Sequence, residues 1–282
     1  MSVEFPGRPL LFVAHPDDET LACGGMLQRL PQSLVVFATD GAAPGYGCER
    51  KFGSLKAYSD LRFNEASSAL AHIPNASFQR LSKPDGSYFI ELHLFEELPA
   101  AAISLRQIVQ SFSPDAIISH AYEGAHMDHD ACSFLAFHVA GALSLVCYEF
   151  PLYWLNARKQ VVRQRFRDAD LVGSGKLHDA ATDVLEWRLS EAEIECKRRM
   201  LAEYDTQQGT VSAFETGSER MRLAASTSES FSIALCRSYM YQERRPRFYH
   251  THRHRLSAKA LLKKFAEFED WQQRRPDWRR SW

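Results

Sequence analysis

A chain of 282 residues, 45% hydrophobic and 24% charged, is long enough for one large α/β domain with a substantial core. Its net charge of −1 gives no reason to expect nucleic acid as a partner, and no run approaches the roughly 20 apolar residues of a membrane span. The average hides an asymmetry, because Glu243 to Trp282 carry 12 Lys and Arg against 5 Asp and Glu, a basic tail on a mildly acidic body. No secretory leader is visible, and six scattered cysteines without a CxxC pair predict reduced thiols and a cytoplasmic location. Cys132, Cys147 and Cys236 sit in apolar segments and are expected in the core rather than on a metal.

The predicted elements alternate. Leu10–Ala14 is a short apolar run of the kind that forms a strand buried on both faces, Thr20–Leu30 has helical spacing, and Ser33–Thr39 is a second strand. Gly41–Phe52 is a Gly- and Pro-containing loop, Ser59–His72 a helix, Ser77–Leu81 a third strand, and "SKPDGSY" a turn. Leu94–Phe112 is a helix, Asp115–His120 a strand, Asp128–Ala140 a helix and Leu143–Phe150 a strand. Past residue 155 the rhythm weakens to a helix at Ser190–Tyr204 and a late strand at Ser230–Arg237. A last helix at Ser257–Trp271 has a Leu261/Phe265/Phe268 stripe expected to dock on the body. This pattern predicts a three-layer, Rossmann-like α/β fold, its mostly parallel sheet flanked by helices, with a C-terminal helical extension. One domain over 1–240 and a basic, aromatic-rich extension over 241–282 is the economical division.

Two strand exits carry unusual chemistry. "AHPDDE" follows the first strand, and "HAYEGAHMDHD", residues 120–130, ends the fourth. Adjacent acids are costly to desolvate unless a cation or hydrogen bonds compensate. In an open parallel sheet both exits lie on the carboxyl rim, where ligands bind, so residues over 100 apart in sequence can converge there. Convergence offers His15, Asp18 and His129, two imidazoles and a carboxylate, a set that suits zinc with a position left open; Fe(II) is accepted by the same donors. Taken singly, each residue has a plainer reading: Asp18 and Glu19 could cap the helix that follows.

"AHPDDE" with "CGG" and the later "H-x-D-H" resemble the LmbE-like (PIG-L) family of zinc-dependent N-deacetylases. "TDG" at 39–41, Arg62 and Glu65, "PDG" at 84–86 and "K…YDTQ" at Lys197–Gln207 follow in order, so the resemblance covers roughly residues 8 to 207. It implies an LmbE-like deacetylase domain that removes acetyl groups from an N-acetylglucosaminyl-type sugar or glycoconjugate, a small-molecule substrate, with zinc as cofactor. It also implies roles: His15, Asp18 and His129 as metal ligands, and Asp17 as general base. His126 would act as acid or steady the oxyanion, with Asp128 orienting His126 or its neighbour. Tyr122 would help polarise the amide, and Arg62 and Asp85 would grip sugar hydroxyls. Met127 stands where the family usually has proline, and Ala125 replaces a common glycine. The rival readings are hydrolysis of a non-sugar amide or ester at the same metal, and a sugar-binding relative without catalysis. "GSGK" at 173–176 lacks the earlier glycine of a P-loop and reads as an exposed loop, and "HTHRHR" at 250–255 as a solvated segment.

Overall fold

The computed structural model describes residues 6–156, 158, 160–166, 184–224 and 258–279. The expectations for 173–176, 230–237, Cys236 and 250–255 lie outside the described residues.

The first five strands alternate with helices as the apolar runs predict. They are β1 (Leu10–Val13), β2 (Ser33–Phe37), β3 (Ala76–Arg80), β4 (Ala116–His120) and β5 (Val146–Phe150), all paired in parallel in the order β3-β2-β1-β4-β5. Period-two alternation assigns β1 to two cores at once. Leu10 and Phe12 join one cluster with α4 (Leu98–Phe112) and α5 (Met127–Ala142), while Leu11 and Val13 join a second with α1 (Asp18–Cys23), α3 (Leu55–Leu70) and α6 (Glu191–Ala202). This is the three-layer, mostly parallel Rossmann-like architecture.

Three local differences have physical causes. The expected helix over Thr20–Leu30 is α1 followed by a separate 3-10 turn at Met26–Arg29. It breaks at Gly24–Gly25, where a side chain on Gly24 would press on the Thr20 carbonyl and one on Gly25 would overlap Leu189. The Gly25 and Met26 N–H groups donate instead to Glu219, 2.7 Å each. The Gly41–Phe52 segment contains a short helix, α2 (Cys48–Phe52), and β5 begins at Val146 because Leu143 and Leu145 still bond back to α5. The third difference is an antiparallel extension of the sheet. β8 (Leu185–Arg188) pairs with β9 (Ser218–Leu223), and β9 pairs with β5. The ribbon β6 (Tyr153–Leu155) and β7 (Val161–Arg163) follows β5, and α7 (Gln208–Val211) precedes β9.

The last described helix, α8 (Ala258–Gln273), lies against α4. Leu261, Phe265 and Phe268 are buried in the core, and the Phe265 ring stacks on Phe134 with centroids 4.0 Å apart. Trp278 is also buried, its carbonyl accepting from Arg106 and its ring packed on Trp271 and Phe268. Trp271 and Trp278 are therefore occupied by this chain's own body. Among the described residues no helix is long and apolar enough to cross a membrane.

Candidate metal centre and active site

β1 and β4 are neighbours in register from Leu10↔Ile117 to Phe12↔Ser119, with β2 on the far side of β1. Their carboxyl ends flank the point where the strand order reverses, so the two polar exits share one crevice. Within the first exit, Asp17 has a φ of 140°, a backbone conformation that a non-glycine residue rarely holds, and the contacts around it impose it. Its N–H donates to Glu19 Oε2 (3.1 Å), and its carbonyl accepts from Thr20 and Leu21. Arg62 Nη2 donates to the Pro16 carbonyl (2.6 Å) and stands 3.3 Å from Asp17 Oδ1. Glu19 is itself fixed by Thr20 Oγ1 (2.5 Å) and by the Tyr204 hydroxyl, which explains why the chain needs a tyrosine in "YDTQ".

The turn brings His15 and Asp18 together, and α5 delivers His129 to them. His15 Nδ1 is 3.3 Å from Asp18 Oδ2 and 3.3 Å from His129 Nε2, and His129 Nε2 is 3.5 Å from Asp18 Oδ1. Donors on a tetrahedral zinc ion at roughly 2.0–2.1 Å stand about 3.3–3.4 Å apart, close to the spacing of the two imidazole nitrogens from each other and from the two Asp18 carboxylate oxygens. Two overlapping sets have ligand atoms within 4.8 Å of one another, His15/His126/His129 and Asp18/His120/His129. Hydrogen bonding separates the donors: His120 Nε2 already accepts the Ala14 N–H (3.0 Å) and His126 Nδ1 the Asp128 N–H (3.2 Å). Two imidazole nitrogens face each other at 3.3 Å beside a carboxylate, an arrangement that a proton or a cation between them would satisfy. His15, Asp18 and His129 are all buried, and His129 Nδ1 has no partner among the described residues.

Charge argues the same way. Asp17, Asp18, Glu91 and Asp128 crowd around His15 with Arg62 as the counter-cation. Burial disfavours a charged His15, yet Glu91, Asp128 and Asp18 together outweigh it and raise its pKa well above the usual value. Burial also pushes the Asp17 carboxyl above the ordinary carboxylate range, against the pull of Arg62. His126 moves the other way, to about 4, through burial and the neighbouring His15, so it is neutral at pH 7.

Asp128 does not orient His126 through its carboxylate. Its Oδ2 accepts from His15 Nε2 (3.2 Å) and from the Leu92 N–H (2.6 Å). A carboxylate behind a ligating histidine fixes the tautomer, leaving the Nδ1 lone pair for the ion. Asp128→Ala is expected to weaken zinc binding by about 10- to 100-fold, measured by competition with a chromophoric chelator.

The remaining expected residues divide. Tyr122 is half-buried and packs against the first core cluster. Arg62 is buried and donates to the Gly41 and Pro16 carbonyls (3.0 and 2.6 Å). Asp85 stands in the exposed turn, accepting from Ser87 N and Oγ, without a contact to the histidine cluster. Two site residues escaped sequence reasoning. Glu91 reaches in between Arg62 (3.5 Å) and His15 (4.0 Å), and His120 sits under the ligands. His120 was visible as the polar end of an apolar strand; Glu91, in an irregular loop, gave no signal.

Residues 10–140 match the family model PIG-L, described as GlcNAc-PI de-N-acetylase. Among solved structures, the A40926 pseudoaglycone deacetylase Dbv21 is 17% identical with a TM-score of 0.55, covering 77% of this chain and 96% of that one. N,N'-diacetylchitobiose deacetylase from Pyrococcus horikoshii is 16% identical (TM-score 0.52, 77% and 84% covered). Teicoplanin deacetylase Orf2 in a zinc-inhibited form is 15% identical (TM-score 0.51, 78% and 100% covered). These likenesses show the fold. No curated protein matches the chain by sequence.

Proposed function

We propose that this chain, whose residues 10–140 match the PIG-L family model, is a zinc-dependent N-deacetylase acting on an N-acetylglucosaminyl-type sugar or glycoconjugate. The observation that carries this reading is the 3.3–3.5 Å convergence of His15, Asp18 and His129 beside the strained, buried Asp17. The named activities of the structural neighbours, deacetylation of diacetylchitobiose, teicoplanin and the A40926 pseudoaglycone, support the substrate class. Five free cysteines among the described residues are consistent with a reducing, cytoplasmic setting.

Amide resonance makes the carbonyl a poor electrophile and the amine a poor leaving group. His15, Asp18 and His129 would hold a zinc ion, which would supply Lewis acidity for attack on the carbonyl. Asp17 is the base: burial makes its carboxylate more basic than an exposed one, and its backbone is locked in place. His126, neutral and with Nδ1 committed to the Asp128 N–H, keeps an N–H on Nε2 that would hydrogen-bond the developing oxyanion, while the proton Asp17 takes from the attacking water would pass to the departing amine. Arg62 holds Asp17 and the Pro16 carbonyl in place and stands 3.5 Å from Glu91, and the two side chains would offer a donor and an acceptor to a sugar hydroxyl. Asp85 would add a further hydroxyl contact from the turn.

Purified protein incubated with N-acetylglucosamine, diacetylchitobiose and an acetylated peptide is expected to release acetate from the sugars. Chelation should abolish the release and zinc restore it. Acetate from the peptide alone, or release that survives complete chelation, would overturn the reading.

A further inference from the structure

We infer that His120 is a positioning residue for the metal ligands, an inference that rests on the metal reading above. The ladder between β1 and β4 has its last paired residues at Phe12 and Ser119. Beyond it, the Ala14 N–H donates to the side chain of His120, at Nε2, 3.0 Å away. On its other side the Ala14 carbonyl accepts from Thr39 N (3.1 Å) and Oγ1 (2.9 Å). The residue immediately before His15 is therefore clamped from both edges, with His120 as the β4 jaw. The same ring lies on His129, with centroids 4.1 Å apart and planes 21° from parallel. Its Nε2 is also 3.4 Å from Asp18 Oδ2.

One side chain thus touches the three pieces of chain that supply the ligands: the β1 exit, the first residue of α1, and α5. It is 1% exposed and backed by Phe150 at 4.8 Å, so it does not meet substrate. Its Nε2 lone pair accepts from Ala14, which leaves the proton on Nδ1, so neither ring nitrogen is offered to the ion. What remains is geometry. An ion gathering donors from residues 15, 18 and 129 binds tightly only if those donors are already in place, and His120 holds them there.

Full-length His120→Phe keeps the ring and removes the acceptor, whereas His120→Gln restores an acceptor without the ring. Zinc affinity by chelator competition should fall about 10- to 100-fold in His120→Phe and stay within about threefold of the parent in His120→Gln. With zinc saturating, KM for an acetamido sugar should be unchanged in both. Parental affinity in His120→Phe, or a Gln variant as weak as the Phe variant, would overturn the inference and leave the metal reading standing. If His120→Phe fails to fold, His120→Gln decides: near-parental affinity supports the inference and a loss of tenfold or more overturns it. A parent that binds no zinc would remove the metal reading and this inference together.

Discussion

Asp17→Asn is expected to bind zinc with parental stoichiometry and to lose about 100- to 10,000-fold in kcat, or roughly 3–5 kcal/mol of barrier. Asparagine is the right replacement because it matches aspartate in size and shape, and the backbone hydrogen bonds that hold the φ of 140° do not involve the side chain it changes. Its amide cannot take a proton. The Arg62 contact at 3.3 Å would weaken, but the guanidinium keeps its bonds to the Pro16 and Gly41 carbonyls and the turn should hold. A purely structural role for Asp17 would lower zinc content and thermal stability with activity. A catalytic role leaves both intact while kcat falls. Full turnover by a zinc-loaded Asp17→Asn enzyme would refute the assignment.

Lys197→Met should destabilise the fold by about 3–5 kcal/mol. Lys197 is completely buried beneath the "CGG" turn, and its ammonium donates to Glu219 (2.6 Å) and to the Leu21 carbonyl (3.0 Å). Removing it leaves the Glu219 carboxylate, 4% exposed, with the Gly25 and Met26 N–H groups and no ammonium. An uncompensated buried charge of this kind costs far more than the intact pair gains. The effect reaches the site because Glu219 and Lys197 together pin the end of α1, the helix that begins with Asp18. Urea unfolding would show the loss as a lower midpoint with an unchanged slope. The double variant Lys197→Met/Glu219→Gln should recover much of it, and a single variant as stable as the parent would contradict the account.

The sheet order and the meeting of the two exits were legible in the sequence for one reason. Strands buried on both faces read as unbroken apolar runs, and "LLFVA" and "AIISH" each end abruptly in chemistry. The parallel rule then puts both ends on one rim. By contrast β9, "SERMRL", has charged residues at three of six positions and pairs antiparallel at the sheet's far side, so nothing in it reads as a buried strand. The break in the helix after Cys23 is a tertiary effect: Leu189 fills the space at Gly25, and Glu219, some 190 residues away, takes its N–H. Glu91 was illegible because its place depends on Leu92, whose φ of 70° lets its N–H reach Asp128. Asp128 was legible as a site residue but not in its target, since which imidazole it holds depends on how α5 is set against β1.

The central claim is that one divalent cation is clasped jointly by the turn after β1 and the start of α5. Elemental analysis of protein purified without chelators, run beside His129→Ala, tests it most directly. The account predicts about one zinc per chain in the parent and close to none in the variant, as three donors reduced to two cannot complete the site. A parent free of divalent metal, or a His129→Ala protein that keeps its full complement, would contradict it.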